Sequence, residues 1–166
     1  FRRVLFRSCS SDLQTFEDIA LMREIPGMLV VNPADAVSTK KLLNEVVDTD
    51  GPAYVRLDRS GVPVIYDENS DIQVGKANIV REGSDVTIIA TGIMVADALE
   101  AAEELVIEGI DSRVIDMHTI KPIDEKAIIN AARDNGPIVT AEEHSIIGGR
   151  SEEDTSELQS PSGSRM

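Results

Sequence analysis

The chain has 166 residues, 42% of them hydrophobic, and carries a formal net charge of −14. Its length suits one or two small domains, and its apolar content is too high for a disordered chain. The acidity excludes a basic nucleic-acid footprint and docking on anionic lipid, and 3% aromatic residues leave little with which to stack on bases.

Residues 1–13, FRRVLFRSCSSDL, carry neither a helical nor a strand period. Within them, LFRS and SSDL read as two frames of one sequencing-adapter end. Residues 150–166, RSEEDTSELQSPSGSRM, are polar and Ser-rich and resemble a translation of the opposite adapter end. Both stretches are expected to be artefactual or disordered tails and are set apart from the fold. No apolar run is long enough to cross a membrane, and no basic start with an apolar core reads as a secretory signal. The expected compartment is the cytoplasm; the lone Cys9, which has no internal disulfide partner, lies in the suspect first stretch and carries no evidence on this.

From Gln14 the chain alternates helix and strand signals. Residues 16–22 place apolar side chains at helical spacing, with Thr15 as the expected N-cap, and Pro26-Gly27 ends the helix. Met28–Val31 is a short apolar run between breakers, the pattern of a buried strand. Asp35–Val47 reads as a helix with Val37, Leu42, Leu43, Val46 and Val47 on one side. Ala53–Leu57 follows Gly51-Pro52 as a strand. Between Ser60 and Gln73 the pattern weakens into Gly, Pro, Asn, Ser and Asp, which marks a connection between domains.

The second unit is clearer. Gly75–Val80 opens it, and Asp85–Ala90 reads as a strand. Val95, Ala98, Leu99, Ala102, Leu105 and Val106 then step as one helix stripe, with Gly109 at the position of a C′ glycine. Arg113–Met117 is the next strand and Lys121-Pro122 stops it. Asp124 is the expected N-cap of a helix over Glu125–Arg133, and Ile138–Ala141 is a third strand. Strand–helix–strand–helix–strand with short loops predicts an α/β fold of parallel sheets with helices on both faces, doubly wound in the second unit.

Candidate chemistry is sparse. Thr91-Gly92 sits between strand and helix, where helix N–H groups can hold phosphate, but it lacks the full glycine fingerprint and reads better as a tight turn. Arg56 and Arg59 stand at the end of a strand, where ligands of parallel α/β sheets sit, and a guanidinium fork there can grip a phosphate or pair with nearby acids. Glu142-Glu143-His144 follows the last strand; it is an acid–base pair, or else a capped turn or subunit contact. His118 and His144 do not make a zinc motif, so His118 reads as structural or interfacial. The acid pairs Glu17-Asp18 and Glu103-Glu104 read as solvated helix faces. No catalytic residue and no metal ligand is assigned.

Several segments together resemble the transketolase family. QTFEDIALMREIPGMLVVNPADA and GPAYVRLDRSGVPV are similar to the end of the family's pyrimidine-binding domain. GKANIVREGSDVTIIATGIMVADALEAAEEL, RVIDMHTIKPID and IVTAEEHSIIGG are similar to its C-terminal domain, most of all to the C-terminal subunit of split transketolases. The resemblance implies residues 14–60 as the end of a pyrimidine-binding domain, 61–74 as linker and 75–149 as a truncated C-terminal domain. It implies thiamine diphosphate and Mg as cofactors, sugar phosphate substrates, and transfer of a two-carbon ketol unit from a ketose phosphate to an aldose phosphate. It also implies a homodimer, or a heteromer with a diphosphate-binding N-terminal subunit. Arg59 falls where the family places an Arg that binds the sugar phosphate. The family's cofactor-activating Glu and pyrimidine-stacking aromatic would lie upstream of Gln14, and its substrate-contacting His is replaced by Leu13. The fragment alone is therefore expected to be inactive. The alternatives are a fragment of 1-deoxy-D-xylulose-5-phosphate synthase and a non-catalytic α/β interaction module.

Overall fold

The computed structural model describes residues 4–6, 17–58 and 61–144. In chain order they form β1 (Val4–Phe6), α1 (Asp18–Glu24), β2 (Leu29–Val31), α2 (Ala36–Asp48) and β3 (Ala53–Val55). After the connection come β4 (Asn78–Arg81), β5 (Val86–Ala90), α3 (Met94–Ile107), β6 (Ser112–Asp116), β7 (Thr119–Lys121), α4 (Glu125–Asn135) and β8 (Ile138–Ala141). The strands make two four-stranded sheets, ordered β1-β3-β2-β7 and β4-β6-β5-β8.

Alternation along the strands divides each sheet into two buried faces, as the two-residue strand period requires. In the first sheet Leu29, Val31, Ala53 and Val55 pack with Leu43 and Val46 of α2, while Val30, Tyr54 and Ile120 pack with Ile19 and Met22 of α1. In the second, Ile88, Ala90 and Val114 meet Val95, Ala98 and Ala102 of α3; Ile89 and Ile115 meet Ile128 and Ala131 of α4. Helices thus cover both faces of both sheets. Leu42 of α2 joins the α3 cluster while its neighbour Leu43 joins the first-sheet cluster, so α2 is shared between the two cores.

The α/β class agrees with the sequence, but neither sheet is purely parallel. β4 runs antiparallel to β6, and β7 runs antiparallel to β2. β7 was not evident in the sequence, and it places a strand from the second unit in the first unit's sheet. Val4–Phe6, inside the stretch expected to be an unstructured tail, pairs parallel with β3. Val-Leu-Phe has strand propensity, and the outer edge of β3 supplies unpaired backbone groups for it.

The helix ends also differ in detail from expectation. The Thr15 cap lies outside the described residues; Glu17 occupies the N-cap position of α1 and makes no side-chain capping bond. α2 starts with a capping box in which Asp35 accepts from Ser38 N and Ser38 Oγ accepts from Asp35 N. Val47, expected on its apolar side, is 48% exposed, because the inward stripe passes through Leu42 and Val46 instead. Gly109 caps α3 as expected: at φ +81 it lets Ile110 N reach Leu105 O and Gly109 N reach Val106 O. Asp124 caps α4, accepting from Ala127 N at 3.1 Å.

The connection at 61–74 contains no helix or strand, yet it is tied down. Asp35 Oδ2 accepts from Ile65 N and Tyr66 N, and Tyr66 and Ile72 are buried in the core shared with α3.

Candidate functional site

The carboxyl ends of β3 and β8 meet at Arg56. β3 carries the chain to Arg56, whose backbone N–H continues the ladder to Val31 O at 2.9 Å. Its guanidinium is largely buried and engaged on every nitrogen. Nε lies 3.5 Å from Asp18 Oδ2, Nη1 donates to the Glu143 carbonyl at 3.0 Å, and Nη2 donates to Glu143 Oε2 at 3.2 Å. Asp18 is itself buried and accepts from Tyr54 Oη at 2.6 Å. Burial pushes the Glu143 carboxyl above the usual carboxylate value, and Asp58 and then Asp18 push the same way, against the pull of Arg56.

Arg56 therefore joins the two units, each of its guanidinium nitrogens facing Asp18 or Glu143. Of its two alternatives, phosphate grip and ion pair, the geometry takes the second. Arg59 lies outside the described residues. Glu143 is the member of the Glu142-Glu143-His144 trio that reaches this cluster, as an ion-pair partner to Arg56. Sequence reasoning missed Asp18 as a partner, treating Glu17-Asp18 as a solvated pair; Asp18 in fact faces inward against Tyr54 and Arg56. Two adjacent acids on a helix give no hint of this, because the partners are remote in the chain.

A second buried polar set lies at the other side of the seam. Tyr66 Oη donates to Asp116 Oδ2 at 2.7 Å. Burial and the adjacent Asp116 carboxylate raise the phenol far above its ordinary value, so it stays a donor. Asp35 is buried, which alone would raise its carboxyl, but hydrogen bonds from Tyr66 N, Ser38 and Ile65 N outweigh this and hold it below its usual value. The D-x-x-S spacing of Asp35 and Ser38 was the available signal for this cap.

His118 is fully buried beside this seam. Its Nε2 is 3.1 Å from Asn78 Oδ1 and its Nδ1 is 3.1 Å from Thr119 Oγ1, which accepts from Gly75 N. Asn78 Oδ1 is an acceptor, so the geometry assigns the proton to Nε2 and makes Nδ1 the acceptor from the Thr119 hydroxyl. Burial lowers the ring to about 4, so it is neutral at physiological pH. The His118 carbonyl accepts from Asn32 N at 2.8 Å, so the residue joins the strand ends structurally, as expected.

The Thr91-Gly92 turn at the start of α3 is buried and closed. A Cβ placed on Gly92 would lie 2.4–2.8 Å from the Asn32 amide group. The amide fills the space in which a phosphate would approach, so this is a tight turn packed against β2's exit. Among the described residues no group of three or more His, Cys, Asp or Glu side chains could hold a metal ion, and no helix is long and apolar enough to cross a membrane.

Two family models match in succession. The transketolase pyrimidine-binding domain matches residues 12–64, and the transketolase C-terminal domain matches residues 75–161, just over half of the chain. The chain belongs to the transketolase family. Members of that family use thiamine diphosphate. The 6-deoxy-6-sulfo-D-fructose transketolase subunit of Clostridium sp. (strain MSTE9) is 48% identical over 81% of this chain and 42% of its own length. One of the apulose-4-phosphate transketolase subunits of Phocaeicola vulgatus is 45% identical over 88% of this chain and 47% of its own. A solved structure described as a split-gene transketolase in an inactive beta4 tetramer superposes with TM-score 0.85 at 46% identity, over 89% of this chain and 50% of that one. The chain thus spans about half the length of the transketolase subunits it matches.

Proposed function

We propose that this chain is part of the pyrimidine-binding and C-terminal subunit of a split transketolase. Paired with a diphosphate-binding subunit, the complete protein transfers a two-carbon ketol unit from a ketose phosphate to an aldose phosphate in the cytoplasm. Thiamine diphosphate and Mg are held mainly by residues outside this chain and supply the carbanion chemistry. Arg59, one residue past Asp58 on the β3 exit, is the proposed ligand of the sugar phosphate.

The observation that carries this is the succession of pyrimidine-binding and C-terminal domain matches on one chain, similar to relatives that are named transketolase subunits. Those relatives also favour ketol transfer over the 1-deoxy-D-xylulose-5-phosphate synthase alternative. Arg56 is committed to Asp18 and Glu143, which leaves Arg59 as the arginine of this strand exit for an anionic substrate.

The test is reconstitution. The isolated chain, given thiamine diphosphate and Mg, is expected to show no ketol transfer. The full-length subunit assembled with its diphosphate-binding partner is expected to convert a ketose phosphate and an aldose phosphate. In that assembly Arg59→Ala should raise KM for a phosphorylated acceptor about tenfold to a hundredfold, the loss expected for a charge-assisted hydrogen-bonded contact. An unphosphorylated acceptor should be affected little. Absence of ketol transfer by the assembled enzyme would overturn the function; equal effects on both acceptors would overturn the role of Arg59.

A further inference from the structure

We infer that Arg56 is a positioning residue: its guanidinium fills the ligand seat of the second unit's sheet and thereby fixes the strand exit that leads to Arg59. Where a doubly wound sheet reverses its strand order, the carboxyl ends of the two central strands leave a place for a ligand. In the second sheet the parallel strands run β6-β5-β8. The chain goes from β5 through α3 to β6, then through α4 to β8, so the order reverses between β5 and β8. α3 and α4 lie on opposite faces, as such a reversal requires. Thr91 N donates to Ala141 O at 3.3 Å, so β5 and β8 stay paired up to their carboxyl ends. Glu143 lies two residues beyond Ala141, at the mouth of this place.

A side chain of the first unit stands there. Arg56 Nη1 donates to the Glu143 carbonyl at 3.0 Å and Nη2 donates to Glu143 Oε2 at 3.2 Å, the two-pronged contact that a planar guanidinium makes with a pair of oxygens. Its Nε faces Asp18 Oδ2 at 3.5 Å, and only 12% of the side chain is exposed. One group thus ties together the first residue of α1, the exit of β3 and the turn after β8. Arg59 follows three residues later in the chain. A phosphate ligand works through its placement, since an error of about 1 Å can cost about a hundredfold in rate. The positioning role rests on the reading of Arg59 as the sugar-phosphate ligand; the guanidinium seat does not.

The experiment uses the full-length subunit, by itself for melting curves and assembled with its diphosphate-binding partner for kinetics. Arg56→Ala empties the seat. The probe is guanidinium chloride at tens of millimolar, far below denaturing concentrations, with sodium chloride as the ionic control. The Tm of Arg56→Ala should lie about 5–10 °C below the parent's, as for a buried ion pair that loses one partner. Guanidinium should return about 3 °C of this, the effect of a ligand at about tenfold its Kd, and should not raise the parent. In the assembled enzyme Arg56→Ala should raise KM for a phosphorylated acceptor about tenfold, and guanidinium should lower it again. In an Arg59→Ala background the same change should leave KM where Arg59→Ala put it, because Arg56 acts through Arg59. Should Arg56→Ala fail to fold, Arg56→Lys, which keeps the charge but not the fork, takes its place in the kinetic cycle. A Tm of Arg56→Ala that guanidinium does not raise above the sodium control would overturn the seat. An equal rise in KM with and without Arg59 would overturn the positioning role. An assembled parent without ketol transfer would remove the functional reading and that role with it, while the melting curves would still decide the seat.

Discussion

Tyr66 Oη stands 2.7 Å from Asp116 Oδ2, so a side chain from the connection between the two units is pinned to the last residue of β6. Both groups are buried. Tyr66→Phe removes the donor and leaves that carboxylate oxygen without it. The expected cost is about 1–3 kcal/mol, the range for a buried partner deprived of its hydrogen bond. Urea unfolding of parent and variant measures it; an unchanged midpoint would show that the bond contributes nothing to the fold.

Asp35 holds the other side of the same connection. Its carboxylate takes Ser38 N at 2.7 Å, Ile65 N at 2.8 Å and Tyr66 N at 2.9 Å. Asp35→Ala removes a helix cap and strands two N–H groups of the connection. A loss of at least about 2 kcal/mol follows from the cap and the orphaned donors together. Asp35→Asn keeps one acceptor oxygen and should recover part of that loss. Because the carboxyl is held below its usual value, the parent's advantage over Asp35→Asn is present at neutral pH and disappears as pH falls through the folded value. Denaturation of both proteins over an acid series is the measurement.

The helices of the second unit were legible because their signals are local. Asp124 three residues before Ala127, and Gly109 after a stripe from Val95 to Val106, are caps that a short window contains. β7 was not legible. Thr119-Ile120-Lys121 is too short for a period, and it is a strand only because β2 offers an edge, a partner remote in sequence. Tyr66 was likewise hidden, since a stretch of Gly, Pro, Asn, Ser and Asp reads as an open connection whatever its one aromatic does. At the site, the strand end carrying Arg56 could be found from breakers and composition. Its choice between phosphate and carboxylate could not, because Asp18 and Glu143 converge on it only through the fold.

His118 gives a pH dependence of known sign. The ring is neutral when folded, with a value lowered to about 4 by burial, against 6.5 when unfolded. Below pH 6.5 the unfolded chain takes up a proton that the folded one refuses, so stability falls as pH drops from 6.5 and levels off below about 4. The full loss is about 3 kcal/mol, from roughly 1.4 kcal/mol per unit. His118→Gln retains a donor and an acceptor but no titrating ring. The difference in unfolding free energy between parent and variant should therefore shift between pH 6.5 and pH 4 in the variant's favour. A difference independent of pH would mean that the ring titrates alike in the folded and unfolded chains.

Gly92 and Asn32 pack against each other where the two units meet. Gly92 has φ +59, and its missing Cβ would stand 2.4–2.8 Å from the Asn32 amide. Two costs then separate in a double-mutant cycle. Gly92→Ala in the parent combines the left-handed backbone penalty, about 1–2 kcal/mol, with displacement of the amide, about 1–3 kcal/mol as for other overpacked sites. In an Asn32→Ala background the amide is gone, so Gly92→Ala should cost only the backbone part. The coupling between the two sites is expected to be at least about 1 kcal/mol, within the range found for residues in contact. Urea midpoints of the four proteins give it directly. Equal costs of Gly92→Ala in both backgrounds would mean that only the backbone conformation, and not the Asn32 contact, demands glycine at this turn.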